Sequence, residues 1–539
     1  MIIGIDLDNT VIDYTEAFLF GARQLKLIPK EWTGKKLKLK SLVQSLSEGE
    51  LQWQKLQGQV YGQWIQHAKL YAGVIRFLFR CRHRGWETVV VSHKTEFGHF
   101  DHEKISLRNS AKEFLSYGPI WGPDGEGLLN DIKFESTREQ KIQVIKHLQC
   151  DVFIDDLPEI LENNNFPVDC RRILFDPDKQ HKKAAMEKVH SWDNVSALLL
   201  GEWNAIELNA LAESCGLSPE RGVKAVSGGG NSPVYKGFTI SENDFAIKIY
   251  PPDSAHDRLR SEFDGLSLIH TFCTLNTPEP LSVNRSLEVA AFRWVEGKLI
   301  KNPESTDIDQ AVELLSSLQQ YRHQNEFKTF PFASAACLSG RQIEQQLKLR
   351  VDRLLAENNE SLKNFLNKEF ESFVKTMLER AIALWPNQGF DMEITRNQQI
   401  LSPSDFGFHN ALKNVNGSIV FIDFEYFGWD DPVKLLCDFA FHPGMELSVA
   451  MKKYWFKATL KLYGEELLPR LHSSWPLYGL CWVLIILNEF RSDIWDRRRA
   501  ADPSLENSRK DVQLLQLKRA RQLIKFIDHS VKTQTFDFM

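Results

Sequence analysis

The sequence predicts two units of different class: an α/β unit built on a parallel sheet, then an α+β unit with a small sheet and a long helical remainder. Three observations predict it. The 539 residues exceed what one hydrophobic core holds, roughly 250–300 residues, so two or more domains are expected. Short apolar runs at 2–7, 88–91, 151–154 and 172–175 alternate with helical segments, as in a parallel sheet. After about residue 200 the pattern changes, and from 305 onward the chain is mostly amphipathic helix, broken at 400–432.

In chain order, the first strand runs into Asp6-Leu7-Asp8-Asn9-Thr10. Residues 14–70 read as helix, rich in Leu, Lys and Gln. The strand 88–91 ends at Ser92, and the strand 151–154 ends at Asp155-Asp156. The boundary falls near 200–220, giving expected domains over 1–205 and 220–539. Gly228-Gly229-Gly230 then lies between short strands, Phe245–Tyr250 is a strand carrying Lys248, and residues 257–270 form a helix with Glu262. No internal repeat argues for a solenoid.

Composition narrows the function. Hydrophobic and charged contents of 43% and 25% are those of an ordinary globular protein. A net charge of −5 argues against a nucleic-acid surface, which favours a basic excess. The 8 cysteines form no CxxC pair, which argues against a zinc site or disulfide framework and for a reducing compartment. No leader pattern opens the sequence, and the longest apolar stretch, Trp475 to Leu487, is too short and interrupted to span a bilayer. The expectation is a cytoplasmic protein acting on small molecules, with no nucleic-acid or membrane partner.

The first constellation is a set of acids at strand ends. An aspartate just past a buried strand, such as Asp6, can attack phosphorus and form an acyl-phosphate. A second carboxylate at Asp8 can protonate the leaving oxygen and then activate water. Two carboxylates repel a phosphate unless cations offset them. Asp155 and Asp156 are natural Mg2+ ligands, since magnesium prefers oxygen donors. Ser92 can hydrogen-bond phosphoryl oxygens, and Lys141 opens a helix that leads into the Asp155 strand. Each residue alone has a plain reading as a turn, cap or solvated side chain, with Lys146 competing for the lysine role. The ordered set is what points to chemistry. It resembles the haloacid dehalogenase superfamily over about residues 1–200, on the matches DxDxT at Asp6, Asp8 and Thr10, then Ser92, Lys141 and Asp155-Asp156. The resemblance implies a Rossmann-like domain whose helical residues 14–70 form a substrate-selecting cap. It implies Asp6 as nucleophile, Asp8 as acid/base, and Mg2+ held by Asp6, Asp8, Asp155 and Asp156. The second aspartate is that of the phosphatase branch.

The second constellation follows the glycine-rich turn. Such turns let backbone amides approach phosphates, and the absence of GxxxxGK[ST] excludes a P-loop. A charged Lys248 within an apolar strand needs a partner, for which Glu262 is placed. Asp405 and Asn410 stand in Ser404-Asp405-Phe406-Gly407-Phe408-His409-Asn410, and Asp423 ends the apolar run 420–422. Transfer of a γ-phosphoryl group needs a carboxylate at the acceptor hydroxyl and oxygen ligands for magnesium. Asp405 suits the first task, and Asn410 with Asp423 the second. This region resembles the aminoglycoside phosphotransferase and choline kinase family over about residues 220–500. The resemblance implies a protein-kinase-like bilobal fold binding ATP and Mg2+. Ser227, Gly229, Lys248 with its partner Glu262, and the Trp294–Gly297 hinge with Glu296 would hold the nucleotide, and Asp438 would be structural. In that family a histidine usually stands two residues before the catalytic aspartate, where this chain has Pro403.

Together these readings imply a bifunctional phosphatase and ATP-dependent kinase acting on small molecules, with sugar or polysaccharide precursors as one setting. The alternative is a phosphatase with a non-catalytic nucleotide-binding domain. A nucleic-acid end-repair enzyme is disfavoured by the acidic balance and the missing P-loop.

Overall fold

The structure, a computed structural model, describes the chain apart from residues 101–102, 123–125, 182–185, 227–231, 253–255, 274, 446, 496–507 and 534–539. It divides into two compact units, Met1–Val223 with Asn284–Glu288, and Lys224–Val283 with Val289–Met539. The helix Ala205–Ser214, between the two expected domains, goes with the first.

The first unit is organised by a six-stranded sheet. Its strands are β1 (Ile2–Ile5), β4 (Glu87–His93), β5 (Asp131–Glu135), β6 (Val152–Asp155), β7 (Arg171–Phe175) and β8 (Glu187–Val189); β2 (Ile12–Asp13) and β3 (Lys69–Leu70) form a separate antiparallel pair. The sheet order is β5-β4-β1-β6-β7-β8, and each pairing is parallel. Strand alternation sends Ile3, Ile5, Val90, Ile154 and Ile173 into a core on one face. Val89, Val91, Phe153 and Leu174 enter another, with Ile142 and Ile145 of the helix Arg138–His147. Gly4 is required by packing, since a Cβ there would collide with the Phe153 ring. The chain leaves β1 toward β4 and β5 and returns past β1 to β6. The switch point therefore lies at the carboxyl end of β1, where such sheets bind ligands.

The segment between β2 and β3 carries the helices Thr15–Gln24, Lys36–Gln44 and Gly49–Tyr61. The β2–β3 pair ties its entry to its exit. Phe18 stacks on Trp53 at 5.0 Å, and Tyr14 meets Tyr61 edge-on at 4.7 Å, giving the insertion its own aromatic centre.

The second unit begins with a sheet of order β12-β13-β11-β10-β9: β9 (Val223–Ala225), β10 (Val234–Gly237), β11 (Phe245–Ile249), β12 (Pro280–Asn284) and β13 (Val289–Arg293). A π-turn over Arg260–Asp264 runs into the helix Gly265–Phe272 between β11 and β12, so the expected helix 257–270 is two helical types in series. Five short strands follow: β14 (Lys298–Leu299), β15 (Ile400–Ser402), β16 (Ala411–Lys413), β17 (Ile419–Phe421) and β18 (Gly428–Asp430). The remainder is helical. The helix Leu468–Ile486 is buried on nearly every side from Ser473 to Leu484, as a central helix should be. Trp475 and Trp495 are core residues, as is the stacked pair Phe439–Trp455 at 3.7 Å. All eight cysteines are free thiols and buried. Among the described residues no helix is long and apolar enough to cross a membrane.

One buried ion cluster in the first unit is a clear stability test. Glu207 is fully buried, closes a capping box with Asn204, and receives Arg80 at 3.2 Å and Arg84 at 2.5 Å. Burial would raise its carboxyl, but hydrogen bonds from Arg84, the Asn204 backbone and Arg80 hold it below the usual glutamate value. Glu207→Ala strands two arginines, and denaturant titration should show a loss of about 3–5 kcal/mol in the first unit. Because the folded value is depressed, this contribution is complete above the ordinary glutamate pKa. It is lost as pH falls through the depressed value.

Candidate functional site

Asp6 follows β1, and its backbone N–H extends the ladder to the Ile154 carbonyl at 2.8 Å. Asp155 closes β6. Between them rises Lys141 from the helix Arg138–His147, which is started by a capping box of Thr137 and Gln140. The Lys141 ammonium donates to Asp6 Oδ1 and Asp155 Oδ2, both at 2.6 Å, with 1% of the side chain exposed. Lys146 lies on the same helix outside this cluster, so Lys141 is the lysine that reaches the strand ends. Ser92 is buried on β4, the strand next to β1.

Carboxylate oxygens of Asp6, Asp155 and Asp156 lie within 4.8 Å of one another. Burial pushes the Asp6 carboxyl up to about 7, against the pull of the Lys141 ammonium. Burial, then the charges of Asp6 and Asp155, pushes Asp156 well above the usual aspartate value. Three carboxylates facing one ammonium are short of positive charge, and a divalent cation with oxygen preference would balance them. The donor set therefore fits Mg2+ at Asp6, Asp155 and Asp156.

Asp8 is not part of that triad. Lys94 reaches its two oxygens at 2.9 and 2.8 Å, and the Tyr14 hydroxyl donates to Oδ1 at 2.8 Å. The Lys94 ammonium also lies 4.6 Å from the Tyr61 ring centre. Asn9 holds φ 62°, which turns the chain between Asp8 and Thr10. From the helical insertion, Lys36 hydrogen-bonds the Asn9 side chain. Burial pulls its ammonium down to about 8, against the charges of Asp156 and Asp8. Lys36, Lys94 and Tyr14 were missed from sequence. Lys94 had a weak signal, a lysine two residues past Ser92 on the same strand end.

In the second unit, Lys248 on β11 is held by carboxylates from two directions. Its ammonium lies 2.6 Å from Glu262, 2.5 Å from Asp423 and 3.5 Å from Glu425. Glu262 also accepts from the Tyr250 hydroxyl at 2.7 Å and the Phe424 N–H at 3.2 Å. Glu425 accepts from Ser232 at 2.7 Å and Arg258 at 2.9 Å. The three carboxylates have oxygens within 4.8 Å of one another. Asp423 has 35% of its side chain exposed, against 4% and 1% for Glu262 and Glu425, so it is the member open to a metal.

Asn410 and Asp423 bracket the β16–β17 hairpin, where Ala411 faces Phe421, and the Ile422 N–H donates to the Asn410 carbonyl at 2.9 Å. The Asn410 amide donates to the Asp405 carbonyl at 3.0 Å and to its carboxylate at 3.4 Å. His409 lies 3.1 Å from Asp405 Oδ1 and stacks on His442, ring centres 3.6 Å apart. His442 itself approaches Asp405 to 3.9 Å. Burial would raise the Asp405 carboxyl, but the His409 and Asn410 hydrogen bonds hold it below its ordinary value. Burial and the His409 ring push His442 down to about 4, so it is neutral at neutral pH. An imidazole thus reaches Asp405 although Pro403 stands two residues before it.

The remaining expected residues of this unit lie as follows. Ser227 and Gly229 lie outside the described residues. The Glu296 carboxylate is largely exposed and bonds Lys236 at 2.8 Å and the Trp294 indole at 2.7 Å. Asp438 binds Lys434 at 2.6 Å and the Trp482 indole at 2.9 Å, bridging two helices.

Residues 222–463 match the phosphotransferase enzyme family. No curated protein sequence matches the chain. Solved structures with similarity include a spectinomycin phosphotransferase in complex with ADP and spectinomycin, at 13% identity and TM-score 0.44, covering 60% of this chain and 99% of that one. Choline kinase LicA from Streptococcus pneumoniae matches at 15% identity and TM-score 0.36, covering 56% and 93%. An ethanolamine kinase from Plasmodium vivax matches at 13% and 0.39, covering 62% and 95%. Over residues 222–463, the C-terminal part of the chain is thus similar to the phosphotransferase enzyme family.

Proposed function

We propose that the chain is a bifunctional small-molecule enzyme, an ATP-dependent kinase joined to a phosphatase of the haloacid dehalogenase type. The observation that supports the kinase half best is the convergence of Lys248, Glu262, Asp423, Asn410 and Asp405 within a segment that matches a phosphotransferase family. Lys248 is the cation for the nucleotide phosphates once they compete with Asp423 for it. Asp405, kept ionised by His409 and Asn410, orients the acceptor hydroxyl and accepts its proton as the phosphoryl group transfers. Magnesium would sit at Asp423 and Asn410 and neutralise phosphate charge. The hinge contribution of residues 294–297 falls to their backbone, since the Glu296 carboxylate is spent on Lys236.

For the phosphatase half, Asp6 attacks phosphorus and the leaving oxygen takes a proton from Asp8. Water, deprotonated by Asp8, then opens the acyl-phosphate and releases inorganic phosphate. Lys141 holds Asp6 in place, and Lys94 is a further cation available to phosphoryl oxygens. Magnesium at Asp6, Asp155 and Asp156 would supply the charge that keeps the nucleophile ionised. The second reading, a domain that binds nucleotide without transfer, draws on Pro403; His409 and His442 beside Asp405 favour transfer over it.

Incubation with ATP, sugars and sugar phosphates tests both halves. Asp6→Asn should reduce phosphate release to background and leave ATP consumption unchanged. Asp405→Asn should slow transfer by about 10²–10⁴-fold while nucleotide still raises the melting temperature. If neither substitution affects either activity, both sites are misassigned; nucleotide binding without turnover in the unaltered protein selects the second reading. Chelation of divalent cations should abolish both activities, and added magnesium should restore them. Phosphate release that survives chelation would remove the metal from the Asp6 site.

A further inference from the structure

We infer that the hydroxyl acceptor of the C-terminal domain carries an anionic group, a phosphate or a carboxylate, which Arg350 receives in the cavity that holds Asp405. This rests on the kinase reading and adds the charge class of its second substrate. A cavity of about 440 Å³ in the second unit is walled in part by Asp405 and His442. The helix Gly340–Leu355 contributes Gln346 and Arg350, one turn apart, and the helix Leu468–Ile486 contributes Tyr478 and Trp482.

The charges on this wall are unevenly committed. Arg258 is bound to Glu425 at 2.9 Å, Lys434 to Asp438 at 2.6 Å, and Arg491 to Asp493 at 2.7 Å. Arg350 has no such partner: among the described residues its Nε is buried without a hydrogen bond. The Tyr478 hydroxyl, on a side chain 1% exposed, is likewise buried and unpartnered. A guanidinium stays charged at any pH a protein tolerates, and a buried donor without an acceptor is costly. Two such donors on one cavity wall fit an oxygen-rich anion.

Among the described residues lining the cavity, the opposite class of acceptor finds nothing equivalent. An ammonium group would need an uncommitted carboxylate. Asp438 is bonded by both Lys434 and Trp482, and Asp405 is the base itself. Asp405 alone cannot anchor a cation and also accept the hydroxyl proton.

The test measures binding to the full-length protein with magnesium and a non-hydrolysable ATP analogue present. Probes are a panel of sugar phosphates and sugar acids, each beside its neutral parent sugar, with ethanolamine as the cationic case. Anionic members should bind and raise the melting temperature, and neutral and cationic ones should not. Arg350→Gln should weaken the anionic probes by about ten- to a hundred-fold with analogue affinity unchanged, and Arg350→Lys should recover part of the loss. Tyr478→Phe should weaken them less. Binding confined to phosphates or to carboxylates identifies which anion is meant. The inference is overturned if no anionic member binds, if ethanolamine or neutral sugars bind as well, or if Arg350→Gln changes nothing. Failure of the ATP analogue to bind would count against the kinase reading, while the sugar panel still decides the charge class.

Discussion

Lys141 keeps a full positive charge with almost none of its side chain in contact with solvent, which is tolerable only because two carboxylates share it. Desolvation lowers a lone buried ammonium, whereas the charges of Asp155 and Asp6 more than reverse that and raise it. The same ammonium fixes geometry. Asp6 follows β1 and Asp155 closes β6, so one salt link ties neighbouring strand ends to the helix that delivers the lysine. The second unit uses this device again. Lys248 is raised by Asp423, Glu262 and Glu425 against its own desolvation, and it joins β11, the π-turn and the loop after β17. In both places a buried cation gathers acids that would otherwise repel one another.

Sequence reasoning recovered most of the parts these cations hold together, and its gaps have physical causes. β1, β4, β6 and β7 were readable because both faces of each central strand are buried, which enforces apolar runs. The edge strands β5 and β8 were not, because Asp131-Ile132-Lys133-Phe134-Glu135 and Glu187-Lys188-Val189 leave much of their surface to solvent. Asp6, Lys141 and Asp155 could be placed from chain order alone. Lys94 could not be paired with Asp8, since nothing local to either residue announces the contact. His442 is a still harder case: it reaches Asp405 only through the path of the helix Pro432–Phe441, whose end it caps. Glu425 stands two residues from Asp423, yet its role depends on Ser232 and Arg258 arriving from other segments.

Backbone conformation adds a second common thread. Asn9, Ser404 and Asp423 hold φ values of 62°, 67° and 65°, a region that side-chain-bearing residues rarely occupy. Asn9 follows Asp8, Ser404 precedes Asp405, and Asp423 is itself a candidate ligand. Such residues cost about 1–3 kcal/mol each and persist where the surroundings over-determine them. Asparagine and aspartate bear the left-handed region better than most, which accounts for two of the three identities.

The burial of every thiol has a practical consequence. Cys81, Cys150, Cys170 and Cys215 belong to one unit and Cys273, Cys337, Cys437 and Cys481 to the other, so each unit contains its own sulfhydryl reporters. Alkylation in native conditions would then follow the free energy of opening separately for each half, with mass spectrometry assigning the modified peptide. Cys337 and Cys481 also line the cavity that holds Asp405, so their labelling kinetics would register its occupancy as well as unfolding, with no introduced probe.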